Sequence, residues 1–360
     1  MNIRITWLRA LLTLIGAALL GLLLTWSGVI PIGASSGHWR ITDWGLHWAM
    51  ENSVRTHTIL QAPDLEREDG GLVSAAGHFA QSCAACHGAP GVLPLPVMRA
   101  ATPHAPNLQL NAPKWTDAQL FYILDHGVKF TGMPFWAARD RPDEIRRMVA
   151  FLRALPSMTP ERYRALVQGP DRPVQGLAPG TVAKCTGCHG ADGMGRGQAD
   201  IPILAGQKPA YLLDALRRYQ TNRRSSAVMR QAAAQLRPEE MIALARHFAA
   251  MPISSPQARP DPNRERARFL AERGLPDWEL PACLSCHDPR RAGAAPILHG
   301  QRAAYLAARL ERWRGSEYVV EAKKSRDVMP TIARRIPKEM IDPLAGYFEA
   351  APHPAGTAPR

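Results

Sequence analysis

The pattern Cys-x-x-Cys-His occurs three times, at Cys83/Cys86/His87, Cys185/Cys188/His189 and Cys283/Cys286/His287, and these copies use all six cysteines of the chain. No cysteine is left for a long-range disulfide, and a pair three residues apart closes too short a loop to staple a fold of 360 residues. The spacing suits covalent attachment of a c-type haem. Each thiol adds to one vinyl group of the porphyrin, and the adjacent histidine is held beneath the iron as proximal ligand. A thioredoxin-like dithiol and half of a zinc site also use Cys-x-x-Cys. Histidine in the same place three times favours haem, so the expected cofactor is three covalently bound haem c groups.

Residues Ala10 to Ile30 carry no charged side chain and are mostly Leu, Ala, Ile, Val and Gly. That length spans hydrocarbon as a helix. It exceeds the apolar core of a secretory signal, and the exit Gly28-Val-Ile-Pro-Ile-Gly-Ala-Ser-Ser36 has no clear small-x-small cleavage pattern. An uncleaved signal anchor is therefore expected in preference to a removed signal. Arg4 and Arg9 precede the span, which places the short N-terminus in the cytoplasm and the rest outside. Localisation to the bacterial inner membrane, with the haem segments on the periplasmic side, agrees with where haem c is attached. The formal net charge of +13 would ordinarily raise nucleic acid as a partner. An exported haem protein rarely meets any, so an acidic redox partner or an anionic membrane face is the expected complement. A merely soluble basic surface fits as well.

The chain repeats itself. Pro202-Ile-Leu-Ala-Gly-Gln-Lys-Pro-Ala-Tyr211 and Pro296-Ile-Leu-His-Gly-Gln-Arg-Ala-Ala-Tyr305 follow the second and third motifs and run into helical pattern. Arg141-Pro-Asp-Glu-Ile145, Arg237-Pro-Glu-Glu-Met241 and Ile336-Pro-Lys-Glu-Met340 each put proline at a helix start, followed by acids that complement the helix dipole. Pro343 falls inside the third of these helices and should kink or shorten it. Thr116-Asp-Ala-Gln119 reads as a capping box with Gly127 as the stop, and Leu72 to Gln81 reads as a helix. Pro156 to Pro179 and Pro252 to Pro262 have linker composition. The expected fold is all-α: an N-terminus and transmembrane anchor at 1–30, a Trp/His-rich juxtamembrane segment at 31–70, and three small haem domains at 71–156, 176–252 and 262–352.

Each haem needs a second axial ligand. Methionine raises the potential and closes the iron, whereas an open site binds small molecules. Met133, Met229 and Met329 stand nine, nine and eight residues before Pro142, Pro238 and Pro337, a shared register relative to the last helix of each repeat. Core packing is the ordinary use of methionine, but Met133 in Gly132-Met-Pro-Phe-Trp136 sits in a punctuated loop. Met98, Met194, Met241 and Met340 are the fallback candidates, the last two on an apolar helix face where core packing is the better reading.

With these motifs the chain resembles the class I c-type cytochromes, on the three Cys-x-x-Cys-His copies, the Gly-Met-Pro-x-Trp loop and the Pro-x-Leu-x-Gly-Gln segments, across roughly residues 71 to 352. The second and third repeats look like the tandem dihaem periplasmic cytochromes, and the first is similar to the single-domain membrane-linked kind. The resemblance implies a small helical bundle around each haem, His/Met ligation and electron transfer. It also implies that the carbonyls of Pro106, Pro202 and Pro296 accept the Nδ1–H of the proximal histidines. Asp288 stands where the other two copies have glycine after the histidine, which puts the surroundings of the third haem in question.

Three functions compete. The favoured one is a membrane-tethered carrier, not itself an enzyme, relaying single electrons through three His/Met haems to or from a respiratory complex such as a terminal oxidase. The alternative is the cytochrome subunit of a periplasmic dehydrogenase passing electrons to quinone, and a third is a peroxidase or gas sensor with an open haem. A soluble redox partner is compatible with the first two. His38, Trp44, His47, Trp48 and His57 suit interfacial anchoring, with subunit docking or an extra ligand as other readings.

Overall fold

The computed structural model describes residues 6–60, 71–253, 262–293, 295–315 and 328–353. Helix α1 (Trp7–Trp26) takes up most of the uncharged run and starts at Thr6, whose Oγ1 accepts the Arg9 N–H at 3.4 Å. None of its residues is buried, and among the described residues it is the one helix long and apolar enough to cross a membrane. Helix α2 (Arg40–Leu60) buries Val54 and Thr58 and exposes Trp44 and Trp48, whose rings stack 6.2 Å apart.

In the N-terminal bundle, α3 (Leu72–His78) passes through a π turn at Phe79–Cys83 into α4 (Ala84–His87), so the first haem motif continues the helix expected before it. Helix α5 (Asp117–His126) has the full Thr116/Gln119 capping box and stops at Gly127, where φ is 66°. A β-carbon there would also strike the Met133 carbonyl oxygen, so only glycine lets the methionine loop close over the helix end. Helix α6 (Pro142–Ala154) supplies Ile145, Met148 and Phe151 to a core shared with Phe79 and Leu155. Helix α7 (Pro160–Val167) occupies part of the expected linker at 156–179. Thr159 caps it, and Tyr163 is buried with its ring 6.3 Å from that of Phe79. Pro and Arg content disguised this helix, but proline at its first position costs no hydrogen bond.

The middle bundle comprises α8 (Thr181–His189), α9 (Pro209–Gln220), α10 (Ala227–Ala233) and α11 (Pro238–Ala249), packed around Val182, Leu212, Leu244 and Phe248. The C-terminal bundle comprises α12 (Arg264–Arg273), α13 (Leu284–His287), α14 (Ala303–Arg314), α15 (Met329–Arg335) and α16 (Ile341–Ala350), around Leu270, Leu306, Leu344 and Phe348. Pro337 does not open this last helix. A 3-10 turn at Lys338–Met340 intervenes, and α16 begins at Ile341 with Pro343 in its first turn, where a missing N–H is tolerated. Most of the 252–262 linker lies outside the described residues. The fold is all-α: among the described residues there is no strand, only isolated bridges between Ala89 and Val92 and between Leu275 and Leu280.

Each cluster is small. A buried Leu, Val or Phe contributes roughly 1.5–3 kcal/mol, and the middle cluster contains five buried apolar side chains. These helices wrap a hollow rather than a filled core, and the chemistry lies in that hollow.

Candidate haem sites

Each histidine of the three motifs ends a helix, which aims its ring past the last turn. His87 Nδ1 donates to Pro106 O at 2.8 Å, His189 Nδ1 to Pro202 O at 3.2 Å and His287 Nδ1 to Pro296 O at 2.8 Å. A carbonyl only accepts, so each bond puts the proton on Nδ1 and leaves Nε2 a lone pair for a metal. Burial pushes all three imidazoles below their ordinary pKa, and His189, only partly offset by its bond to Pro202, down to about 4. They are neutral at pH 7, as metal ligation requires.

Burial likewise pushes the thiols up: Cys83 and Cys185 to about 12, Cys188 and Cys283 to about 11. Such thiols are poor thiolates, unlike those of a reactive dithiol pair. The backbone after the histidine divides the three copies. Gly88 and Gly190 follow with φ of 70° and 81°, whereas Asp288 is extended at φ −60°. The chain leaves the third motif by a different path, and the Asp288 carboxylate accepts from the Arg290 N–H at 2.9 Å.

The second and third sites open into one cavity of about 660 Å³, whose lining includes Cys188, His189 and Met229 and also Cys286, His287 and Met329. Met229 lies on α10, three residues from its cap Ser226, and Met329 is the first residue of α15. A second cavity, of about 440 Å³, is lined by His87, Leu93 and Leu108. Met241 and Met340 are each 1% exposed and belong to the packed interior.

At the first site Cys83, Cys86, His87 and Met133 are all half-buried. Cys86 is half-buried on α4 and lines neither described cavity, although it is the motif's second expected attachment thiol. Cys83, at the end of the π turn, packs against the N-terminal core instead. Met133 is half-buried in a loop against that same core and also lines neither cavity. In the second and third sets both thiols, the histidine and the methionine line one cavity.

The walls of the larger cavity test whether a haem fits. Arg224 is half-buried, its partners are the neutral hydroxyls of Tyr211 at 3.0 Å and Tyr305 at 3.1 Å, and its buried Nε has no hydrogen-bond partner. The Arg312 Nε is likewise unpartnered, and its guanidinium shares the Asp143 carboxylate, 3.7 Å away, with Arg141 and Arg147. Burial and the neighbouring Arg141 and Arg309 push Arg312 down to about 10. Buried cations short of counter-charge are costly. An apolar hollow with cationic spots on its wall suits a flat apolar ring bearing carboxylates, and haem is such a group.

The repeated glutamines of the two Pro-x-Leu-x-Gly-Gln segments have a role that the repeat alone did not disclose. Gln301 Oε1 accepts the Ile203 N–H at 2.9 Å while its Nε2 donates to Ile203 O at 3.0 Å. Gln207 does the same to Ile297, at 2.8 Å to the N–H and 2.9 Å to the carbonyl. The two repeated Pro-Ile-Leu-x-Gly-Gln segments thus clasp each other, each glutamine satisfying the backbone next to the other's proximal proline. The N-terminal bundle also grips the middle one. Ser74 donates to Asp200, and Glu144 accepts from Ser226 Oγ at 2.6 Å and from the Ala227 N–H at 2.8 Å. The repeat was visible in the chain, but its exchange of side chains was not, since pairing needs the two copies in space.

Cys-x-x-Cys-His helices whose histidines are locked by proline carbonyls around apolar hollows define a haem-binding protein of the c type. Comparison with known proteins agrees. The family profile described as cytochrome c oxidase, cbb3-type, subunit III matches residues 72–152, and the cytochrome c profile matches 181–248. A thiosulfate dehydrogenase electron acceptor of Thiomonas intermedia is 35% identical over 188 residues, 49% of this chain and 82% of that protein. Cytochrome c4 of Pseudomonas aeruginosa is 30% identical over 177 residues, 47% of this chain and 84% of that protein. The crystal structure of reduced cytochrome c4 from Pseudomonas stutzeri is similar with a TM-score of 0.43 at 28% identity, covering 48% of this chain and 95% of that one. The chain belongs to the c-type cytochromes, in the family that contains cytochrome c4 and the thiosulfate dehydrogenase electron acceptors. It carries covalent haem c and transfers electrons as a multihaem carrier.

Proposed function

We propose that the chain is a membrane-tethered relay with three haems, one in each of the segments 71–156, 176–252 and 262–352. In this reading Cys83/Cys86, Cys185/Cys188 and Cys283/Cys286 anchor them. His87/Met133, His189/Met229 and His287/Met329 are the axial pairs. A bound haem supplies a one-electron iron couple whose potential its axial ligands and surroundings set. The protein's part is to hold the proximal rings through Pro106, Pro202 and Pro296, to keep water away, and to place two sites in one cavity. That shared cavity, lined by two Cys-x-x-Cys-His motifs, carries the reading. Helix α1 serves as the anchor, with the haem segments on the periplasmic side of a bacterial inner membrane.

A terminal oxidase is the favoured partner, supported by the oxidase-subunit profile over 72–152. A periplasmic dehydrogenase is the second reading, favoured by the 35% identity to a thiosulfate dehydrogenase electron acceptor. Co-purification from detergent-solubilised membranes distinguishes them. Oxidase subunits in the eluate support the first reading, and a dehydrogenase without oxidase overturns it. A pyridine haemochrome assay giving fewer than three haems per chain would defeat the trihaem assignment.

A further inference from the structure

The N-terminal bundle touches the middle bundle at the place where its haem is anchored. Helix α3 packs against both α8, which carries Cys185, Cys188 and His189, and α10, which carries Met229. Cys188 Sγ lies 3.8 Å from the Val73 carbonyl oxygen. A β-carbon built on Gly77 would sit 2.7 Å from the same sulfur, so glycine is what allows this approach. Polar contacts hold the two bundles in place. Ser74 on α3 donates to Asp200, two residues before the Pro202 carbonyl that receives His189. Arg147 on α6 stands 3.5 Å from the same carboxylate. Glu144, also on α6, caps the start of α10. The grip reaches the middle site on its histidine side and on its methionine side.

The same helix leads directly to the first haem motif. Gly77 and Cys83 are joined by the end of α3 and the π turn. Six residues at 1.5 Å each make that about 9 Å of continuous helical backbone. The first and second attachment sulfurs are therefore linked by one helix and one van der Waals contact. Electron tunnelling falls off exponentially with distance and fastest across gaps, so this is a favourable route.

We propose that the middle haem is the junction of the relay. The N-terminal bundle exchanges electrons with it across the Gly77–Cys188 contact, and the third haem, whose thiols line the same cavity as those of the second, exchanges with it directly. The order is first, second, third, with Gly77 as the positioning residue. In each step one ferrous site becomes ferric and one ferric site becomes ferrous, with no bond formed or broken and no proton moved. The proposal rests on the trihaem reading above.

The test is Gly77→Leu in the full-length haem-loaded protein, with one electron injected by flash photolysis and its redistribution followed optically. The expected result is three haems per chain with unchanged absorption spectra, higher hydrogen–deuterium exchange over residues 71–83, and first-to-second equilibration slowed roughly tenfold. Raised exchange with an unchanged equilibration rate would overturn the proposal. If this variant does not assemble, Ser74→Ala combined with Asp200→Asn loosens the same face without adding bulk. It is expected to slow the same phase about threefold, and an unchanged phase there counts equally against the proposal. Fewer than three haems in the unsubstituted protein would instead defeat the reading beneath it.

Discussion

Glu144 and Ser226 stand 82 residues apart in the chain, yet the Ser226 hydroxyl donates to the Glu144 carboxylate across 2.6 Å of buried space. In sequence, Glu144 looks like an ordinary first-turn acid of α6. In the fold it closes the N-terminal end of α10, the helix that carries Met229, while Ser226 Oγ also accepts the Met229 N–H at 3.1 Å. The N-terminal bundle therefore helps to fix the methionine of its neighbour.

Glu144→Ala leaves the Ser226 hydroxyl and the Ala227 N–H buried without their acceptor, a loss of about 1–3 kcal/mol. The expected outcome is a labile Met229 ligand. Carbon monoxide should then bind the ferrous form at one haem, and the iron–methionine charge-transfer band should weaken. A variant with the unsubstituted protein's carbon monoxide response would separate Glu144 from Met229.

Acid should loosen the junction of the three bundles. Burial alone would raise the Asp143 carboxyl. The hydrogen bond and charge of Arg141, at 2.8 Å, with Arg147 and with Arg312 of the C-terminal bundle at 3.7 Å, hold it well below the usual carboxylate range. A depressed folded pKa gives stability that is complete above the unfolded value of about 3.9 and is lost as pH falls below it. Thermal melts should lose midpoint below about pH 4, and Asp143→Asn should flatten that acid limb while lowering stability at neutral pH.

The glutamine clasp should behave as a coupled pair. Gln207→Leu or Gln301→Leu each strands one buried N–H and one buried carbonyl, at a cost of about 1–3 kcal/mol per unsatisfied group. Each should lower the melting temperature and weaken the redox interaction between the second and third haems in a spectroelectrochemical titration. The double variant should cost less than the sum of the two, because one separation of the segments breaks both halves of the clasp.

Met133→His should lower the potential of one haem and leave the other two nearly unchanged, since methionine is the ligand that raises the potential. Three equal shifts in the titration would contradict one ligand pair per bundle.

Much of the local structure was legible from residues alone. The capping box at Thr116, the stop at Gly127 and the shortening around Pro343 depend on neighbours within a few positions, and the chain states them directly. The helix at Pro160–Val167 was missed because its Pro-rich surroundings have loop composition, and its stability comes from Tyr163 docking on Phe79, which composition does not reveal. The hydrogen bond from His87 to Pro106 spans 19 residues, beyond the reach of local pattern, and was expected only through resemblance.

The sequence by itself determined the cofactor chemistry, the helical class and the apolar N-terminal run, because thiol spacing, adjacent histidine and apolar periodicity are local properties. Only the tertiary structure decided which sites share a cavity, which glutamine satisfies which backbone, and that Gly77 lies under Cys188. Those are contacts between segments a hundred residues apart. Folding selects them by burying apolar surface and pairing buried polar groups at once, and no local pattern records the outcome.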